Sequence, residues 1–347
     1  MLNCEGTPAQ RGRSYGEQLK DSIRENVKIL VHRVGHPSLP RGEAHFQSWM
    51  RRQESLMAKH WPWLLEEIRG VAAGCGEEYE DILLLNLRAW QYDLYNKPPA
   101  GGCSSLAVTL SDGAVVCTGA LDDPPQLYCG PVRFVPEEGF RSVSFPITGT
   151  SWGNRGMNSR GLSVGISSQS LPGLKSLPNA VNQDIAMRVI LQTCATVGEV
   201  REFCRAFPFT MNMVCVDAAG GIFCAHQTAG GFFEVPAPEG WCCLTNHVCD
   251  DGMRYRLMSL GVKEFPESPT TRARRGKLVE FCRERNGSCS AEEVLSLIGR
   301  RDDGDPGTIH NGGTVCLTFS STKEPHTLRV LQPSEASGSN VFESLEV

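Results

Sequence analysis

The sequence predicts an α+β protein in which sheets pack on one another and helices cover them. Three observations predict it: helical patterning over the first hundred residues, a switch to short strand-like runs at Cys103, and separate runs of helical pattern later in the chain. With 347 residues, 40% of them hydrophobic, the chain can bury a sizeable core without staples.

Thr7-Pro8 reads as an N-cap and first turn, and Leu19, Ile23, Val27, Leu30 and Val34 then recur at helical spacing as one apolar stripe. A second helix is expected over 63–73. A third is expected from Asp81 to Tyr95, stopped by Asn96-Lys97-Pro98-Pro99. From Cys103 strands are expected at 104–110, 114–118, 142–147, 162–167, 211–217 and 221–226, with Asp112-Gly113 and Ala218-Ala219-Gly220-Gly221 as hairpin turns. Helices are expected again at 182–194, 197–207, 271–285 and 291–298, and strands at 242–248, 314–320 and 328–331. No internal repeat is visible, and the Pro/Ser/Gly-rich end after Gln332 reads as loose.

Lys plus Arg number 34 against 39 Asp plus Glu, a net charge of −5, which gives no sign of a nucleic-acid or anionic-membrane partner. The N-terminus lacks the apolar core of a secretory signal, no run of 18 apolar residues follows, and no anchor motif closes the chain. The 15 cysteines, odd in number and irregular in spacing, read as reduced and mostly buried thiols. A reducing compartment, most simply the cytoplasm, is expected.

The stretch Pro98-Pro99-Ala100-Gly101-Gly102-Cys103-Ser104-Ser105 runs a flexible linker straight into a cysteine that opens a strand. A thiol there can attack the Gly102 carbonyl in an N-to-S acyl shift, and water can open the resulting thioester to leave Cys103 as a new terminus. Glycine suits the scissile position because it tolerates a strained backbone. The freed α-amine, with a reference pKa of about 7.7, can serve as general base for its own thiol. The plainer reading is that Cys103 is one small buried residue among 15 cysteines.

Four pieces in order, "CEGTPAQRGRSYGEQL", "GCSSLAVTLSDGAVV", "WGNRGMNSRGLSVG" and "LTNH", resemble the acyl-coenzyme A:6-aminopenicillanate acyltransferases, a cysteine branch of the N-terminal nucleophile hydrolases. The resemblance covers nearly the whole chain and loosens after about residue 250. It implies a four-layer αββα sandwich in one domain and a precursor that cleaves itself before the cysteine. The helical segment 1–102 would remain associated with a catalytic portion 103–347.

The implied activity is cysteine acyl transfer from an amide or thioester, acyl-coenzyme A being one candidate, to an amine or to water, with small molecules as donor and acceptor and no cofactor. Two alternatives stand beside it: an amide hydrolase of the penicillin V acylase or bile salt hydrolase type, and an unprocessed binding protein on the same fold.

The resemblance also implies roles for single residues. Ser105, on the strand face of Cys103, is the hydroxyl tied to processing; a strand serine bonded to backbone is the bland alternative. Asp122 is expected to bind the nucleophile's α-amine, with Asp123 as competitor and a turn aspartate before Pro124-Pro125 as the structural alternative. Many bile-salt-hydrolase cousins carry an arginine three residues earlier, where Gly119 stands here. Asn246 is the expected oxyanion-hole donor, in a role where each such donor contributes roughly 3 kcal/mol. Asn311 occupies the position of a family arginine, with His310 beside it as a partial substitute or an ordinary loop histidine.

Rival constellations are weaker. Cys243, His247 and Cys249 share one face of an expected strand, from which Asn246 points away, and Cys224 with His226 make a similar pair, but zinc-type spacing is missing. Asp302, Asp303 and Asp305 lack the pattern of a calcium loop. Arg272, Arg274, Arg275 and Lys277 could meet coenzyme A phosphates, but without a Gly-rich cradle they read as the solvated face of a helix.

Overall fold

The structure, a computed structural model, describes residues 1–32, 43–87, 102–285, 288–302, 304–332 and 342–347. The chain opens with β1 (Leu2–Gly6), α1 (Pro8–Gln18), α2 (Lys20–Asn26), α3 (Ala44–His60), α4 (Pro62–Cys75) and α5 (Tyr79–Asn86). Thr7 caps α1 as expected: its hydroxyl accepts from Gln10 N, and the Gln10 side chain accepts from Thr7 N at 3.0 Å.

The stripe expected as one helix is divided. Lys20–Asn26 is α-helical and Val27–Val31 forms a π turn, while Val34 lies outside the described residues. The extension of α5 from residue 88 to Tyr95, and the linker 96–101, also lie outside them. Two elements of the N-terminal segment were not anticipated. The helix α3 is one, and the other corrects the all-helical reading of the N-terminal segment: β1 pairs in parallel with Val132–Pro136 at a sheet edge.

Next come β2 (Ser104–Thr109), β3 (Val115–Asp122), β4 (Val132–Pro136), β5 (Ser142–Ser144), β6 (Arg155–Asn158), β7 (Ser163–Ser167), α6 (Gln183–Thr193), α7 (Val197–Ala206) and β8 (Met211–Val216). They are followed by β9 (Ile222–Thr228), β10 (Gly231–Glu234), β11 (Trp241–Leu244), α8 (Asp251–Ser259), α9 (Thr271–Arg285), α10 (Ala291–Gly299), β12 (Thr314–Ser321), β13 (Thr327–Leu331) and β14 (Glu343–Glu346). The strand expected over 242–248 ends at Leu244, so alternation no longer sets the faces of the residues after it. Beyond Gln332 the chain is not all loose, because β14 adds to β13.

Two sheets result. One runs β1-β4-β5-β6-β7-β8-β9-β10 and the other β11-β2-β3-β12-β13-β14. They face each other through β2, β3 and β11 on one side and β7 and β8 on the other, with α9 and α10 against the smaller sheet and α6 and α7 against the larger. This is the αββα sandwich expected from the sequence. Parity along β2 sets its two faces: Cys103 and Ala107 face the space between the sheets, and Leu106 and Val108 pack beneath α9 and α10.

The N-terminal helices share one apolar cluster with the larger sheet, from Cys4 and Tyr15 to Met213 and Phe223. The α1 and α4 backbones touch at glycines, since a Cβ on Gly12 would fall 2.0 Å from the Glu67 carbonyl oxygen and one on Gly74 2.3 Å from that of Arg13. Across this contact the buried Glu67 carboxylate binds Arg11 of α1 at 2.7 Å and Arg188 of α6 at 3.2 Å. Burial opposes its charge, but the two guanidiniums outweigh burial and hold the carboxyl below its usual range.

One expectation about the cysteines is corrected. Cys224 of β9 and Cys242 of β11 form a disulfide between the sheets, because the packing brings their Cα atoms to 6.5 Å; 13 cysteines are free and most are buried. Among the described residues no helix is long and apolar enough to cross a membrane.

Replacing Glu67 leaves two buried guanidiniums without their shared counter-charge. Glu67→Gln should therefore lower the unfolding free energy by about 3–5 kcal/mol, read from the shift of a urea unfolding midpoint against the unchanged chain.

Candidate active site

Cys103 sits immediately before β2 and is almost wholly buried, with its sulfur 3.6 Å from the Asp122 carbonyl oxygen. Asp122 is the last residue of β3, and antiparallel pairing of β2 with β3 sets it beside the start of β2. A Cβ built on Gly102 would fall 2.9 Å from Asp122 Oδ2, so the carboxylate lies against the Gly102-Cys103 junction. The same carboxylate accepts from Asn311 Nδ2 and from the Thr314 hydroxyl, each at 2.8 Å. Burial raises its pKa, while these donors and then Arg274 and Arg155 pull it back. Asp123 instead accepts from the Tyr128 hydroxyl at 2.8 Å.

Asn311 thus donates to Asp122 from the position where the family pattern has an arginine. Its neighbour His310 is not drawn into this cluster: the ring donates from Nδ1 to the Gly299 carbonyl at the end of α10. Asn246 is fully buried, its amide donating to the Ser168 carbonyl at 2.9 Å and its Oδ1 accepting from Arg274 Nη2 at 3.0 Å.

Arg274 is the residue that sequence reasoning misplaced. Read as part of a solvated cluster, it is fully buried and joins the site from α9. Its Nη1 donates to the Cys103 carbonyl at 2.6 Å and the Ser104 hydroxyl at 2.8 Å, and its Nε to the Thr270 hydroxyl at 2.9 Å. A signal existed, since the buried residues of α9 are Thr271, Arg274, Leu278 and Cys282, and the stripe of the last two, carried back one turn, lands on Arg274. Two more of that cluster behave as expected of a surface, Arg272 pairing with Glu267 and Lys277 with Asp305, whereas Arg275 is half-buried with its Nε enclosed.

A second arginine reaches the nucleophile from the opposite sheet. Arg155 of β6, also fully buried, donates from Nη2 to the Ser104 carbonyl and, at 2.9 Å, to the Ser105 hydroxyl. It fills space that two glycines leave: a Cβ on Gly119 would fall 2.9 Å from Nη2, and one on Gly165 2.7 Å from Nη1. The position that lacks an arginine in β3 therefore lies beside a guanidinium supplied by β6.

Burial pushes the Cys103 thiol up to about 11, with Asp122 raising it further and Arg155 drawing it down. A cavity of about 690 Å³ opens onto the junction, lined by Gly102, Asp122, Asp123, Thr270, Asn311 and neighbouring residues.

The rival groups fall elsewhere. Cys243 packs under α9, His247 meets the Thr271 hydroxyl, and Cys249 lies 3.2 Å from His226 Nε2. Burial pushes His226 down to about 3 and Cys249 upward, so both are neutral at pH 7. Among the described residues no group of three His, Cys, Asp or Glu could hold a metal ion. Asp302 and Asp305 accept from the amides of Gly304 and Gly307, as an acidic turn does, and Asp303 lies outside the described residues.

Residues 122–261 match the family model described as acyl-coenzyme A:6-aminopenicillanic acid acyl-transferase. A curated relative, the acyl-coenzyme A:6-aminopenicillanic-acid-acyltransferase 40 kDa form of Emericella nidulans, is 26% identical over 204 residues, or 55% of this chain. The match spans 53% of that relative's length. Both findings agree with the family that the sequence resembles. Among solved structures, a variant of the conjugated bile acid hydrolase from Clostridium perfringens is 12% identical with a TM-score of 0.46, over 70% of this chain and 92% of its own. Penicillin V acylase from Agrobacterium tumefaciens is 13% identical with a TM-score of 0.39, over 70% and 86%.

Removing Arg274 leaves the Cys103 carbonyl, the Ser104 hydroxyl and Asn246 Oδ1 buried without this donor. Arg274→Met should cost on the order of 3 kcal/mol in urea unfolding, and Arg274→Lys, which keeps the charge but not the fork, should recover only part of it.

Proposed function

We propose that this chain, as a member of the acyl-coenzyme A:6-aminopenicillanic acid acyl-transferase family, is a self-processing cysteine acyltransferase or amide hydrolase with Cys103 as its nucleophile. The observation that carries the reading is the contact of the Asp122 carboxylate with Gly102 at the junction where Cys103 begins the catalytic portion.

In the precursor the Cys103 sulfur adds to the Gly102 carbonyl. The C–N bond breaks, the departing amine takes up the thiol's proton, and water then opens the thioester to a Gly102 carboxylate and the free thiol. Cleavage changes the electrostatics of the nucleophile. While the peptide bond is intact the thiol is held near 11 and stays neutral at pH 7. Afterwards an α-amine with a reference pKa of about 7.7 stands beside it. Asp122 lies where it can hold that amine, oriented by Asn311 and Thr314.

In turnover the amine takes the thiol proton and the sulfur attacks the acyl carbonyl. The amide or thioester bond of the donor then breaks with proton return to its leaving group, and an amine or water, giving up a proton, releases the acyl group. The Asn246 amide, which donates to the Ser168 carbonyl in the resting structure, is the side chain this reading assigns to the charge on the carbonyl oxygen.

On this reading the site works without a cofactor, on a small-molecule acyl donor and amine acceptor, with neither nucleic acid nor membrane involved. The two chains stay together because β1 pairs with β4 and Arg11, Glu67 and Arg188 bridge them. The large number of free thiols supports a reducing compartment such as the cytoplasm. Arg272 and Lys277 pair with Glu267 and Asp305 as the solvated helix face expected of them, and acyl-coenzyme A remains one candidate donor.

Intact mass of the denatured protein, with N-terminal sequencing, tests processing. The unchanged chain should give two fragments, the larger beginning Cys103-Ser104-Ser105, and Cys103→Ala should give one uncut chain and no acyl transfer. Full activity of Cys103→Ala on any donor the unchanged chain uses would falsify the mechanism. Competition between hydroxylamine and water for the acyl group separates transferase from hydrolase.

A further inference from the structure

Among the described residues Arg155 is a buried cation with no ion pair of its own, the Asp122 carboxylate acting on it without direct contact. Its Nε and Nη1 are fully buried and have no hydrogen-bond partner among the described residues, where Nη2 meets neutral oxygens, the Ser104 carbonyl and the Ser105 hydroxyl. Compare Arg11 and Arg188, also fully buried, which share the Glu67 carboxylate. A guanidinium taken from water and left uncompensated is costly, so the protein has a reason to retain it. The cost extends to the backbone around it. Gly165 faces the guanidinium with no side chain, and Gly119, at φ +145° and with a Cβ position 2.0 Å from the Ser104 carbonyl oxygen, can be no other residue.

The ionisable groups acting on Arg155 are chiefly thiols: Cys103, then Cys316 and Cys117, with Asp122 after them. Burial drives Cys117 to about 12 and Cys316 higher still, whereas Cys103 lies at about 11 and is joined to Gly102, which lines the cavity. Besides the Asp122 carboxylate, which also faces Arg274, the anion that can form near Arg155 is therefore the Cys103 thiolate.

We propose that Arg155, reaching across from the opposite sheet, is a positioning residue that fixes the Ser105 hydroxyl and supplies the positive charge favouring the thiolate of Cys103. This rests on Cys103 being the nucleophile. Arg155 itself exchanges no proton: the thiol's proton leaves to the base, and the guanidinium remains charged before and after.

The test is the pH dependence of Cys103 alkylation by iodoacetamide, followed on the peptide that contains Cys103, in the unchanged chain, Arg155→Met and Arg155→Lys. This readout does not depend on catalysis, and midpoints are compared between chains that intact mass shows to be in the same covalent state, both cleaved or both uncleaved. In Arg155→Met the midpoint should rise by about one pH unit, a tenfold loss of thiolate at fixed pH. Arg155→Lys, which restores the charge, should return most of the shift, and Ser105→Ala, which removes only the hydroxyl contact, should leave the midpoint in place.

Equal midpoints in the unchanged chain and a folded Arg155→Met overturn the proposal, even if Cys103 proves to be the nucleophile. Should Arg155→Met not fold, a midpoint in Arg155→Lys shifted as far as one unit overturns it too, because charge would then not be the determinant. Loss of the nucleophile assignment shows separately, as activity surviving in Cys103→Ala.

Discussion

The clamp on the first residues of β2 is the constraint on which the site depends. Cys103 and Ser104 are gripped from both layers at once: Arg274, from the helix outside the small sheet, holds the Cys103 carbonyl and the Ser104 hydroxyl, and Arg155, from the other sheet, holds the Ser104 carbonyl and the Ser105 hydroxyl. Strand alternation makes this possible, because successive side chains point to opposite faces and each arginine can approach from its own side. A strand start is ordinarily the loosest part of a strand. Here it is tied at consecutive residues by fully buried guanidiniums, which fixes the geometry of the junction that the proposed reaction would cut.

Such a clamp needs the whole sandwich. Arg155 reaches β2 only because the sheets face each other and because β3 and β7 each place a glycine at the crossing. Arg274 reaches it only because α9 lies on β11 and β2, over the core containing Leu106, Val108, Leu278 and Cys282. The apolar layers therefore set the distances, and the polar contacts specify the register, since slipping β2 by one residue would exchange the two faces. Around the clamp, Asp122 contributes a negative charge held by Asn311 and Thr314 at the end of the neighbouring strand.

Much of this was legible in the sequence. The Thr7-Pro8 start, the strand opening after Cys103 and the helix Thr271–Arg285 follow from local pattern and turn chemistry, which neighbours in sequence determine, while the αββα layering came from the family resemblance. Asp122 was placed at a strand end, and the structure brings it to the junction together with Asn311. What was not legible depends on contacts between distant strands. Nothing local marks Arg155 as buried, because the room for it is made by Gly119 and Gly165 in other strands. Arg274 was hidden among charged neighbours that do face solvent. The Cys224–Cys242 bond joins strands of different sheets, and no spacing between the two residues encodes their approach. The short edge strand β1 finds its place only through a parallel partner at residue 132 and beyond.

The distribution of charge gives the site its direction. Two buried guanidiniums and one carboxylate leave the surroundings of the uncleaved Cys103 with an excess of positive charge, yet burial keeps the thiol neutral at pH 7. A thiolate would cancel that excess. An α-amine released at the same residue would provide a nearby proton acceptor, and Asp122 would offset its charge when protonated. The same buried groups thus favour a resting thiol before cleavage and its ionisation afterwards. The difference is the covalent state of one peptide bond, with no rearrangement of the fold required.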